Sequence, residues 1–170
     1  LVIAEQARSH PLYWAQRTPD KPAWIFAQQA TSYAELAVRA LKGARFLRKL
    51  GLNTGDGIAV LAENHQDSLA VFWAAQIAGL YYTPISVQFL TTEVAYILHD
   101  CEARLLITSR AQAHKAEITK TQSRLFIEDW LDAINGENEK LIDDAAEGAE
   151  MLYSSGTTGR PKGVRAILPG

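Results

Sequence analysis

From Tyr153 to Gly163 the chain reads Tyr-Ser-Ser-Gly-Thr-Thr-Gly-Arg-Pro-Lys-Gly, with four aliphatic hydroxyls, three glycines and a lysine in eleven positions. Glycines let successive N–H groups turn toward one point and leave room for a bulky anion, which is the role open to Gly156 and Gly159. Ser154, Ser155, Thr157 and Thr158 add hydroxyl donors, and Lys162 adds a mobile positive charge. Pro161 stiffens the segment. This mixture suits a polyphosphate. A ligand-free hairpin turn needs only one or two glycines, not this combination.

Two familiar phosphate loops do not fit. The Walker pattern requires Gly-Lys-Ser/Thr, whereas Lys162 follows Pro161 and precedes Gly163. The dinucleotide fingerprint requires a third glycine, whereas Gly55 and Gly57 are followed by Val60 and no helical pattern, so residues 52–57 read as a turn.

The elements that must hold the loop follow from periodicity. Residues 1–16 have helical spacing that Pro11 kinks or splits, 18–22 form a turn, 23–27 a strand, and Gln28-Gln29 turns the chain back. Ser32 and Glu35 make a capping box before a helix whose Leu36, Ala40, Ala44 and Leu47 share one face and which Gly51 stops. Residues 58–62 read as a buried strand, followed by a helix over 66–80 capped by Asn64 and widely buried through Leu69, Phe72, Trp73, Gln76 and Ile77. Strands at 81–85, 104–108 and 124–127 alternate with a helix capped by Thr91, a weaker helix at 110–120 and a short one at 128–134. Residues 135–150 are acidic and read as a solvated surface segment without metal-ligand spacing. Residues 151–153 and 163–168 then flank the loop as strands. The rhythm predicts an α/β fold with right-handed crossovers and a mostly parallel sheet, ending in strand–glycine loop–strand.

At 170 residues, 48% apolar and 21% charged, the chain has the composition of one ordinary domain. A net charge of −2 with no basic run argues against nucleic acid as a partner. Cys101 is the single cysteine, which rules out an internal disulfide and fits a reducing, cytoplasmic setting; it reads as a small apolar helix residue. No apolar run approaches the ~20 residues of a transmembrane span. The four histidines lack partner spacing, and the four tryptophans read as core or interface aromatics. Phe72 and Trp73 favour core packing over lining an acyl pocket.

Residues 153–164 (YSSGTTGRPKGV) resemble the phosphate-binding signature of the adenylate-forming (AMP-binding) superfamily. That superfamily holds acyl- and aryl-CoA synthetases, peptide-synthetase adenylation domains and beetle luciferases. Pro19-Asp20-Lys21-Pro22-Ala23, Thr31-Ser32-Tyr33-Ala34-Glu35-Leu36, residues 51–59 (GLNTGDGIA), 79–85 and 90–98 are similar to its upstream segments. Glu63-Asn64-His65, Tyr81-Tyr82-Thr83-Pro84-Ile85 and Ser154-Ser155 look most like fatty-acyl-CoA synthetases.

The resemblance implies ATP-dependent activation of a carboxylic acid, in the first place a fatty acid, to an acyl-adenylate, followed by thioester formation with coenzyme A and assisted by Mg2+. It places Ser154, Ser155, Gly156, Thr157, Thr158, Gly159 and Lys162 on the ATP phosphates, assigns no metal ligand, and is compatible with a homodimer. It implies that residues 1–170 are the N-terminal part of an AMP-binding domain. The adenine, ribose and magnesium residues and a catalytic lysine would lie further on, so this fragment alone is expected to be inactive. An aryl-CoA ligase or a peptide-synthetase adenylation domain are the alternatives within the superfamily. A non-catalytic folded or interaction module is the alternative of another class.

Overall fold

The computed structural model describes residues 8–116, 123–154 and 161–168. In chain order its elements are α1 (Pro11–Arg17), β1 (Pro22–Phe26), β2 (Gln29–Ser32), α2 (Tyr33–Lys49), β3 (Gly57–Leu61), α3 (Ser68–Ile77), β4 (Tyr81–Pro84), α4 (Thr91–Asp100), β5 (Ala103–Thr108), β6 (Ser123–Phe126), α5 (Trp130–Ile134), β7 (Ala149–Ser154) and β8 (Lys162–Arg165). Single 3-10 turns occupy Ala113–Lys115 and Ile127–Asp129.

The capping box forms as the spacing predicts. Ser32 Oγ accepts from the Glu35 N–H at 3.2 Å and the Glu35 carboxylate accepts from the Ser32 N–H at 2.8 Å. With its start fixed, α2 presents Leu36, Ala40, Ala44 and Leu47 to the core, and Gly51 ends it in the left-handed region at φ 83. Asn53 to Asp56 is the turn expected there, closed by the Asp56 carboxylate on the Asn53 N–H at 2.7 Å.

Six strands form one sheet in the order β6-β5-β3-β4-β7-β8. All neighbours are parallel except the last pair, β7 and β8. Alternation along the central strands divides the core in two. Ile58, Val60, Leu105 and Ile107 face α2, α3 and α5, while Ala59, Leu61 and Leu106 face α4. The sheet is therefore covered on both sides, as buried parallel strands require.

Several expectations are corrected. Residues 29–32 are a strand, and Ala27 (φ 46) with Gln28 (φ 68) form the turn of a β1–β2 hairpin outside the main sheet. Positive φ at both central residues matches the twist of hairpin strands but is written here without glycine, so the turn signal was weak. The α3 helix starts at Ser68 and not after an Asn64 cap, because Asp67 turns inward to Arg39 and Ser68 Oγ accepts from the His65 N–H at 3.1 Å. Its buried face is made of Ala70, Val71, Ala74, Ala75 and Ile77, with Phe72 and Trp73 only half-buried. Thr91 is the first residue of α4 and not its cap; Glu93 instead accepts from the Leu90 N–H at 2.7 Å. The helix expected at 110–120 is reduced, among the described residues, to one 3-10 turn. No described helix is long and apolar enough to cross a membrane.

Pro11 opens α1 at the first position, where its missing N–H costs nothing, and residues 1–7 of the helical stretch expected there lie outside the described residues. His10 caps that helix. Its Nδ1 accepts from the Leu12 N–H at 3.2 Å and its ring lies 4.7 Å from that of Trp73. Burial pushes its pKa down to about 4 from the ordinary 6.5. The folded chain thus binds a proton here less readily than the unfolded chain, so stability is full above pH 6.5 and falls between about 6.5 and 4. The loss expected is about 3 kcal/mol at the acid end. Urea unfolding from pH 7 to 4 checks it: His10→Asn, a capping residue that does not titrate, flattens the slope in this window.

Candidate functional site

The β7 strand lies parallel to β4, paired through Tyr81↔Ala149 and Tyr82↔Glu150. Its end at Ser154 therefore emerges at the carboxyl edge of the parallel strands, where open α/β sheets bind ligands. From Met151 to Ser154 it pairs with β8, ending at Tyr153↔Gly163 and Ser154↔Lys162. The strands expected on either side of the glycine segment are both present. Ser154 and Lys162 face each other across the base of the loop, both exposed, and Pro161 beside Lys162 is buried. Ser155, Gly156, Thr157, Thr158 and Gly159 lie outside the described residues. Among the described residues Lys162 has no acidic partner within ion-pair distance.

The same edge carries a tied rim. Thr108 Oγ1 donates to the Leu61 carbonyl at 2.8 Å, and Glu63 accepts from Ser109 Oγ at 2.6 Å and Gln112 Nε2 at 2.5 Å. Those two donors hold the Glu63 carboxyl below the usual range, so it is an ionised acceptor joining the loops after β3 and β5. Four residues on, Asp67 is 2% exposed and meets Arg39 at 3.0 Å. Burial raises its pKa and the Arg39 guanidinium opposes this, the balance of a structural ion pair.

What delivers β7 to this edge is the acidic segment, which is largely exposed as expected but is also tied to α2. Arg45 donates to the carbonyls of Lys140 and Leu141, Arg48 meets Asp144 at 2.8 Å, and Lys49 meets Glu137 at 2.9 Å. Ile142 is buried in the core. Glu137 and Asp144 are thus matched by the basic side of α2, some ninety residues away in sequence, while Asp143, Glu147 and Glu150 stay exposed. Immediately before β7, Gly148 donates to the Gln76 carbonyl at 2.8 Å. A Cβ on Gly148 would lie 2.6 Å from the Leu80 carbonyl oxygen and 3.0 Å from that of Ala75, so only glycine lets the chain pass there.

The two faces of the β7–β8 ribbon differ. On the α3 side, Phe72, Gln76, Leu152, Val164 and Ile167 line a mainly apolar groove of about 440 Å³. Phe72 thus borders a groove as well as packing edge-on to Tyr82. On the other side, Tyr153 packs toward the α4 cluster. At the far end of β8, Arg165 lies over the Tyr81 ring at 3.9 Å and anchors the edge strand. Among the described residues no group of three or more His, Cys, Asp or Glu side chains could hold a metal ion.

The family model described as AMP-binding enzyme matches residues 12–166. Tyrocidine synthase 3 of Brevibacillus parabrevis is 32% identical over 151 residues, covering 88% of this chain and 2% of that protein. The Mycobacterium tuberculosis fatty acyl CoA synthetase superposes with a TM-score of 0.78 at 22% identity, over 91% of this chain and 33% of that one. The AMPPNP-bound form of the nonribosomal peptide synthetase FmoA3 (S1046A) gives 0.75 at 24% identity, over 91% of this chain and 16% of that one. At such identities the solved structures show a common fold. The chain spans a small part of each of these proteins.

Proposed function

The chain belongs to the AMP-binding enzyme family, and on that premise we propose that the whole protein activates a carboxylic acid with ATP. A carboxylate oxygen attacks the α-phosphorus, the bond from that phosphorus to the bridging oxygen breaks, and pyrophosphate leaves. A thiol then attacks the acyl carbon of the adenylate, AMP departs and the thiol proton is released. The leaving pyrophosphate accumulates charge, and that charge is what the chain's own loop would stabilise. Ser154, Ser155, Thr157 and Thr158 would donate to the β- and γ-phosphates, Gly156 and Gly159 would permit their approach, and Lys162 would supply the cation. Magnesium would accompany the ATP phosphates; no described residue of this chain is assigned to it.

The observation that carries this reading is the register Ser154↔Lys162 at the carboxyl edge of the sheet. It sets a hydroxyl and an ammonium with no acidic partner among the described residues opposite each other at the base of the glycine segment.

For the acid and the thiol, the proposal is a fatty acid and coenzyme A, supported by the motif likeness in residues 63–65 and 81–85. A second reading is amino-acid activation for a peptide synthetase, favoured by the 32% identity to tyrocidine synthase 3. Pyrophosphate exchange into ATP by the full-length protein tests both, using panels of fatty acids, aryl acids and amino acids. Exchange with fatty acids, followed by coenzyme A-dependent AMP release, supports the first. Exchange confined to amino acids supports the second, and exchange with no acid overturns carboxylate activation altogether.

A further inference from the structure

Tyr153 sits one residue before the loop and is not among the residues expected to touch phosphate. Its ring lies flat against Gly163, its cross-strand partner on β8. A Cβ on Gly163 would come 2.9 Å from Tyr153 Cζ, 3.0 Å from Tyr153 Cε1 and 3.0 Å from Met151 Cε. Gly163 is therefore glycine because an aromatic ring crosses its backbone. Beyond Gly163 the Tyr153 hydroxyl donates to Asp100 Oδ2 at 2.5 Å. Asp100 is the last residue of α4, where the peptide dipoles present their negative end and a carboxylate is disfavoured. The phenol offsets that cost by supplying a donor. Burial, the Asp100 bond and neighbouring charge all raise the Tyr153 pKa, so the hydroxyl keeps its proton and remains a donor.

We propose that Tyr153 and Asp100 form a latch that fixes the base of the loop and so positions Ser154 and Lys162 for ATP. The inference rests on the reading of the loop as a phosphate site. The ring holds β7 and β8 together from one face, and the hydroxyl ties both to α4, which is packed on the sheet through Val94, Ile97 and Leu98. The next residue pair outward is Ser154↔Lys162. A base held this way has less freedom to lose when ATP binds. Tyr153 and Asp100 are positioning residues in this scheme, and neither touches substrate.

The test uses the full-length protein with Tyr153→Phe, Asp100→Ala, the double variant and Lys162→Ala. Tyr153→Phe keeps the ring over Gly163 and removes only the donor. Each latch variant is expected to raise the KM for ATP about 3- to 10-fold, in the range of one hydrogen bond at a partly exposed site. The KM for the acid and the melting temperature should stay near wild type, a split that a general loss of structure would not give. The double variant should be no worse than either single one, and Asp100→Glu, which keeps an acceptor, should recover part of the loss. An unchanged KM for ATP in Tyr153→Phe, with Lys162→Ala impaired, overturns the latch and leaves the phosphate loop standing. An unchanged KM for ATP in Lys162→Ala overturns the loop reading and the latch with it.

Discussion

Replacing Lys162 by alanine in the full-length protein is expected to lower kcat/KM for ATP in pyrophosphate exchange by about 10- to 100-fold. The estimate is the worth of one charge-assisted hydrogen bond, about 1.5–3 kcal/mol. Two features of the fold put the effect at that size. Lys162 has no acidic partner among the described residues, so its charge is not already neutralised. It is also exposed at the start of an edge strand, so its removal leaves no buried group unpaired. The folded state should therefore tolerate the change, and the melting temperature should stay within a few degrees of wild type. Because Lys162 faces Ser154 across the loop base, the loss should fall on ATP and not on the acid. Lys162→Arg should recover part of it, since the charge returns with a different shape. Wild-type kinetics in Lys162→Ala would remove the cation from the proposed role.

Trp130→Ala is expected to cost about 3–5 kcal/mol of stability, read as a lowered urea midpoint. Trp130 opens α5 and is fully buried. Its ring meets Phe46 edge-on at 6.1 Å and fills a notch that Gly43 leaves in α2. A Cβ on Gly43 would lie 2.6 Å from the indole and 2.7 Å from the Ala74 Cβ. Three helices thus close on one side chain, and alanine would leave a cavity at their junction. Among the described residues the indole N–H has no hydrogen-bond partner, so Trp130→Phe, which removes that donor while keeping much of the ring, should cost far less than alanine. The junction matters beyond stability because α2 also holds the acidic segment that leads into β7. A loosened α2 should weaken ATP binding even though Trp130 lies in the core and not at the loop.

Some of this is legible in the sequence alone. The Ser32–Glu35 box and the face of Leu36, Ala40, Ala44 and Leu47 are local, since a few residues supply both the pattern and its partners. The strands that flank residues 155–160 are legible for the same reason. Features whose partners are distant in sequence were read wrongly or missed. Asn64 looked like a cap until Asp67 was drawn to Arg39. The 135–150 segment is solvated as its charge implies, but its ties to Arg45, Arg48 and Lys49 on α2 are not visible in its own sequence. The β1–β2 turn was weak in sequence because Ala27 and Gln28 adopt positive φ without glycine.

By itself, then, the sequence determined the α/β rhythm, the strand–loop–strand ending and a set of phosphate-type donors, because periodicity and turn chemistry act over a few residues. Only the tertiary structure decided the strand order, the antiparallel edge and the Ser154↔Lys162 register. It alone placed Tyr153 across Gly163 onto Asp100, and Gly148 beneath the Leu80 carbonyl. Each of those depends on two segments far apart in sequence arriving at one place, and such close approaches are set by packing and hydrogen bonding across the sheet, which no single segment contains.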